Sequence, residues 1–284
     1  MKEQLKIGDI LLSFEYQFHD FFGNQLEQYH VEDLGSDYHT LEVFVQDTIE
    51  DVDGDNKSYH NNKVKITTDN KTYVVTYNPD KSIKHLIAYT NNYKHITIIL
   101  SKGIGKRLAE YEYVFSGMLF FEIAISNGYL PIHASAIEVD NKAVLLCGPS
   151  SSGKSTQTKY FQEVFPDSII INEDKPLIYE LEDKLYVCGS PWSGKLVLNK
   201  NITVELGSIF FVNKADKTAI IPISMQQIMK ELMRNIHRPG DEDNMNNTIY
   251  LLEKIMEKID IFQFDCVNNK SSSLAIKEYL EEER

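Results

Sequence analysis

Cysteine is scarce in this chain. Cys147, Cys188 and Cys266 are the three cysteines in 284 residues, and none stands at the spacing of a metal-ligand pair. Two of them sit in apolar runs, where a free thiol packs as a small buried hydrophobe and a reducing setting is expected. Basic charge is also in deficit, 29 Lys and Arg against 42 Asp and Glu, for a formal net charge of -13. That disfavours a nucleic-acid partner, because phosphate backbones select basic faces, and it equally disfavours an anionic membrane surface. Long apolar runs are missing too. The most apolar helical stretch, Tyr113 to Ser126, contains Glu122 and is too short to cross a bilayer. Met1 to Asp9 is charged, so no basic-then-apolar leader opens the chain, and neither an internal repeat nor a low-complexity tract is visible. A soluble, cytoplasmic protein with no membrane partner is expected; a homo-oligomer stays open.

What is present divides in two. At 42% hydrophobic, the chain can bury one large core or two moderate ones. Up to about Ser101 the pattern is strand-like, with short β-rich runs at Leu5 to Phe14, Thr40 to Val45, Lys63 to Thr68, Lys71 to Tyr77 and His95 to Leu100. Turn residues separate them, and the Asp69, Asn70 pair between two alternating runs predicts a hairpin. A small antiparallel sheet is expected, with the acidic stretch Asp47 to Asn62 as a solvated loop. Lys106 to Asn127 then has helical spacing and is apolar on most sides, with Gly128 as its C-cap. The predicted units are a β-rich domain over 1–102, a candidate for substrate recognition, and an α/β domain with α+β character over 103–284.

The second domain is organised around one motif. Ala143 to Cys147 is an apolar run that reads as a buried strand; it breaks at Gly148, and a second glycine at Gly153 leads into Lys154, Ser155 and a helical pattern through Phe165. Strand, then G-x-x-x-x-G-K-S, then helix is the setting a phosphate-binding loop requires. Glycines let successive backbone amides turn inward, so loop and helix N-terminus form a nest for phosphate oxygens. The loop comprises Gly148, Pro149, Ser150, Ser151, Ser152, Gly153, Lys154, Ser155 and Thr156. Lys154 supplies a compact positive charge for the terminal phosphates, and the Ser155 hydroxyl is placed to hold Mg²⁺. Binding of a nucleoside triphosphate with Mg²⁺ is expected.

Beyond the loop, Ser168 to Asn172 reads as a second apolar strand ending in Glu173 and Asp174. Ligands in open sheets lie beyond the carboxyl ends of strands, where a carboxylate reaches a metal or an attacking hydroxyl. Gly189 to Lys195 follows as a glycine-flanked loop carrying Trp192, the single tryptophan, which either lines a site or packs under a turn. Further expected elements are a hairpin across 181–183, a strand at Gly207 to Val212, helices at Met225 to Ile236 and Asn246 to Ile259, a strand at Ile261 to Cys266 and a final acidic helix from Ser271.

Taken together, these features resemble the catalytic domain of the HPr kinase/phosphorylase family, a P-loop fold related to the ATP-dependent phosphoenolpyruvate carboxykinases. The resemblance covers roughly Leu130 to Phe262. In that family a histidine lies fifteen residues before the first loop glycine, the spacing of His133 from Gly148. The family's paired aspartates after the next strand are similar to Glu173 and Asp174, which makes Asp174 the implied catalytic base, and a later motif resembles His237 to Asp241 and implicates Arg238. Glu173 stands where the family has Asp, and Asp241 where it has a second Arg. The resemblance implies transfer of a phosphoryl group from ATP to a hydroxyl of a peptide, protein or small molecule, most simply a serine. Ser155, Glu173 and Asp174 are then the implied metal ligands, and His133 lies at the transferred phosphate. The alternative is a nucleotide-gated peptide-binding module without transfer.

Overall fold

The computed structural model describes residues 1–149, 152–194 and 198–282. They form a mixed α/β chain of two compact units, Met1–Asn127 and Gly128–Arg284. The boundary therefore falls later than the expected 102/103, and the helix after the first sheet belongs to the first unit.

In that unit β1 (Lys2–Ile7), β2 (Ile10–Glu15), β3 (His39–Gln46), β4 (Asn56–His60), β5 (Lys63–Thr67), β6 (Lys71–Tyr77), β7 (Ile83–Thr90) and β8 (His95–Ser101) form one sheet. Its order is β1-β2-β3-β8-β7-β6-β5-β4. The predicted hairpin is present, with Thr67 opposite Thr72. The expectation of a wholly antiparallel sheet is corrected, because β3 runs parallel to both β2 and β8. The run from Leu5 to Phe14 is two strands turning at Gly8, which has φ +59°. The expected loop over Asp47 to Asn62 contains β4, whose side chains are all exposed. Helix α1 (Leu108–Ser126) packs on β3 and β8 and ends as predicted, with Gly128 at φ +79° just past it. Its buried Glu112 accepts the backbone N–H groups of Gln17 at 2.6 Å and Phe18 at 2.8 Å, which accounts for a carboxylate inside an apolar helix.

The second unit begins with β9 (Tyr129–Pro131), β10 (Ala134–Val139) and β11 (Lys142–Cys147), followed by α2 (Lys154–Val164), β12 (Ile169–Asn172), β13 (Leu177–Leu181) and β14 (Lys184–Cys188). Then come β15 (Thr203–Lys214), β16 (Ala219–Pro222), α3 (Met225–Asn235), α4 (Glu242–Lys258), β17 (Asp260–Cys266) and α5 (Ser271–Glu282). The sheet runs β12-β10-β11-β15-β14-β13-β9, with β17 on the far half of β15 and β16 outside it. Asp140 and Asn141, both at positive φ, close the β10–β11 hairpin. At the centre β11, β15 and β17 are parallel.

Side-chain alternation on these central strands divides the core into two layers. Ala143, Leu145 and Cys147 of β11, with Ile209 and Phe211 of β15, face Leu232 of α3 and Leu252 and Ile255 of α4. Val144 and Leu146, with Phe210 and Val212, face Phe161 of α2 and Ile276 of α5. A near-continuous apolar run such as Val144 to Cys147 is what a strand covered on both faces requires. Burial of an apolar side chain contributes roughly 1.5–3 kcal/mol, so these layers hold the carboxyl ends of three parallel strands in fixed register.

Candidate functional site

The glycine loop expected to bind phosphate starts where β11 ends. Gly148 has φ +154°, and a Cβ added there would lie 2.7 Å from Ser152 Oγ and 3.2 Å from the Val212 carbonyl oxygen. The Ser152 side chain can rotate, but the Val212 carbonyl belongs to β15 and cannot yield cheaply. Gly148→Ala is therefore expected to cost about 1–3 kcal/mol of stability and to displace the loop. Chemical denaturation read beside nucleotide titration checks it. Gly153, at φ +107°, is the N-cap of α2, and no side chain caps the helix. The first-turn amides of α2 are thus left for a ligand. Ser152 N–H donates to the Pro149 carbonyl at 3.1 Å, tightening the turn. Ser150 and Ser151 lie outside the described residues.

Lys154 is 8% exposed and folds back over the loop, donating to the Gly148 carbonyl at 2.7 Å and the Pro149 carbonyl at 3.2 Å. Burial pushes its ammonium below the ordinary lysine range, and the nearby Asp174 charge opposes that shift. A cation held by two carbonyl dipoles at the start of a helix is well placed to take an anion. Ser155 and Thr156 follow on the exposed first turn of α2.

The acidic pair is positioned by Asn172, fully buried at the end of β12. Its Oδ1 accepts the backbone N–H groups of Asp174 at 2.9 Å and Lys175 at 2.7 Å, and its Nδ2 donates to the Ser190 carbonyl at 2.9 Å. This side-chain-closed turn aims Glu173 and Asp174 differently. Glu173 is 7% exposed and hydrogen-bonds Ser155; its Oε2 has no hydrogen-bond partner among the described residues. Burial raises its pKa, which the Ser155 hydroxyl and Lys159 only partly counter. Asp174 lies 3.1 Å from His133 Nε2 and accepts from Lys175 Nζ at 3.0 Å. Burial disfavours its charge, yet the His133 hydrogen bond and Lys175 outweigh that and hold the carboxyl well below the usual carboxylate range.

His133 sits in the break between β9 and β10. Its backbone N–H donates to the Asn235 carbonyl at 2.5 Å, and Ala134 N–H donates to the Asp174 carbonyl at 3.2 Å. The stretch from Tyr129 to Val139 is therefore two strands, and the interruption brings the histidine to the carboxylates.

Residues 152–156 of the glycine loop, the acidic pair and His133 line one cleft of about 770 Å³, together with Ser193, Gly194, Lys214 and the Cys266–Asn268 segment. Gly194, at φ +76°, presses on Asp174; a Cβ there would lie 2.9 Å from Asp174 Cβ. The glycine-rich loop thus both lines the cleft and buries Trp192 at 2% exposure, while Lys195 lies outside the described residues. Arg238 is exposed and is not among the lining residues, so the expectation that places it with the others is not met here. Gln157, Lys214 and Cys266 are lining residues that the sequence pattern did not single out. Lys214 lies beyond that pattern, because the apolar run ends at Val212 while β15 continues two residues further.

Among the described residues no group of three or more His, Cys, Asp or Glu converges as a metal site. The donors present nonetheless fit Mg²⁺, which keeps several waters and takes one or two carboxylates plus substrate phosphates. An unpartnered buried carboxylate oxygen beside a serine hydroxyl is such a half-shell.

No family model and no curated protein matches the sequence. Among solved structures the chain is similar to the Hpr(Ser) kinase/phosphatase from Coxiella burnetii, at 15% sequence identity and a TM-score of 0.31, covering 54% of this chain and 97% of that one. A likeness of that degree is slight, and the chemistry of the cleft stands on its own residues. No helix among the described residues is long and apolar enough to cross a membrane.

Proposed function

We propose that the second unit is a phosphotransferase, moving the γ-phosphoryl group of ATP to a hydroxyl, with a serine of a peptide or protein, or a small alcohol, as acceptor. The observation that carries this is the meeting in one cleft of a glycine-built anion nest with Lys154, and of Asp174 paired to His133. The nest amides and Lys154 grip the β- and γ-phosphates. Mg²⁺, held by Ser155 and Glu173, would neutralise charge on those phosphate oxygens. Asp174 receives the acceptor O–H as a hydrogen bond and takes its proton while the acceptor oxygen bonds to the γ-phosphorus. The bond from that phosphorus to the β,γ-bridging oxygen breaks, and ADP leaves with the pair of electrons. His133 and Lys175 fix the carboxylate for this step. Because phosphoryl transfer has a loose transition state, positioning and electrostatics supply most of the acceleration.

Incubation of the full chain with γ-labelled ATP, Mg²⁺ and fractionated peptides or small alcohols tests this reading. Label on an acceptor hydroxyl is the expected result. Nucleotide binding without any labelled acceptor or released phosphate favours a nucleotide-gated binding module instead, and absence of nucleotide binding removes both.

A further inference from the structure

Lys214 is the last residue of β15, at the edge of the cleft, and three observations give it a task. First, alternation along β15 puts it on the same face as Phe210 and Val212, the face that α2 covers. Its register partner across the parallel ladder is Cys266, whose side chain is on that face as well. Second, the side chain reaches the phosphate loop: its Cε is 3.7 Å from the position a Cβ would take on Gly153, the N-cap of α2. Third, no ion pair engages it among the described residues. α2 has no acidic residue in its first turn, Lys154 is already its first residue, and no ion pair joins Lys214 to a carboxylate among the described residues. An exposed ammonium beside the positive end of an uncapped helix is placed to meet an incoming anion, in a cleft whose carboxylates Glu173 and Asp174 lie nearer Lys154. The buried, unpartnered oxygen of Glu173 in the same cleft independently calls for a cation of the kind that accompanies polyphosphates.

We infer that Lys214 is a specificity-determining residue of the nucleotide site: it contacts the polyphosphate from the side of Gly153 opposite Lys154 and makes the cleft select triphosphate over shorter chains. This rests on the proposed nucleotide reading. Lys154 reaches the nest from within the loop, buried against its carbonyls, whereas exposed Lys214 approaches from the neighbouring strand. Together they bracket the nest with two positive charges on separate elements.

The test is calorimetric titration of the full chain with ATP, ADP and AMP at fixed Mg²⁺, for the wild type, Lys214→Met and Lys214→Arg. Lys214→Met is expected to bind ATP at least about tenfold more weakly, ADP less affected and AMP unchanged, with a shallower dependence on salt. Lys214→Arg should keep most of the ATP affinity. Because the side chain is exposed, the melting temperature of Lys214→Met should match the wild type, which separates lost contact from lost fold. Equal ATP affinity in Lys214→Met and wild type overturns this inference while leaving the nucleotide site standing. A wild type that binds none of the three nucleotides overturns the underlying reading and this inference together.

Discussion

Lys154→Ala is expected to weaken binding of Mg-ATP, and turnover with it, by at least about 100-fold while the chain still folds. The ammonium is buried at the floor of the glycine loop, held by the Gly148 and Pro149 carbonyls. When a polyphosphate enters, those dipoles are exchanged for full negative charges in a partly desolvated cleft, where a charge-assisted contact is about twice as strong as a neutral one. The substitution removes that gain and leaves two carbonyls without their donor. The structural cost stays within about 1–3 kcal/mol, because burying an unpaired ammonium was itself unfavourable and water can follow the truncated side chain. Thermal melting of the variant beside calorimetry with Mg-ATP separates the two effects. Unchanged affinity in a folded variant defeats the phosphate-loop reading altogether.

Much of this cleft was legible because its signals are local. A turn of Asp140 and Asn141 specifies the β10–β11 hairpin, and glycines at positions 148 and 153 stand where positive φ is needed. Glu173 and Asp174 follow a strand short enough to place without tertiary knowledge. Other parts depend on what lies across the fold. That β3 pairs in parallel with β2 and β8 is set by long connections, whose destinations leave no mark on the strands themselves. Asn172 carries no motif, yet its buried amide orders the acidic turn. Lys214 was lost because an apolar alternation ends at Val212 while the backbone ladder continues to Cys266. The separation of Arg238 from the lining residues has the same origin: the matching stretch, His237 to Asp241, leads into α4, with Asp241 spent on capping it through Asn244 N–H at 2.9 Å.

Asp174→Asn is expected to lower the rate of phosphoryl transfer by about 10²–10⁴-fold with Mg-ATP affinity changed far less, since the carboxylate acts on the acceptor and not on the nest. The environment sharpens this expectation. His133 and Lys175 hold the carboxyl well below the usual range against the opposing effect of burial, so it is ionised at every pH from weakly acidic upward. A base that weak cannot strip a hydroxyl before the reaction begins. It accepts the proton late, as the acceptor oxygen becomes acidic on bonding to phosphorus, which a loose transition state permits. The acid limb of the rate profile should therefore not report Asp174. The stability profile should: a depressed carboxyl pKa means the folded state binds the proton less readily than the unfolded chain. Its stabilising contribution is present above the unfolded value of about 3.9 and fades as pH falls through the lower folded one. Asp174→Asn should flatten that part of the acid-unfolding curve, because the amide keeps the shape but neither the charge nor its attraction to Lys175. His133→Ala then decides which group takes the proton. If Asp174 does, loss of the imidazole frees its orientation and costs less than loss of the carboxylate; if the rate falls further in His133→Ala than in Asp174→Asn, the imidazole is the base and Asp174 its anchor.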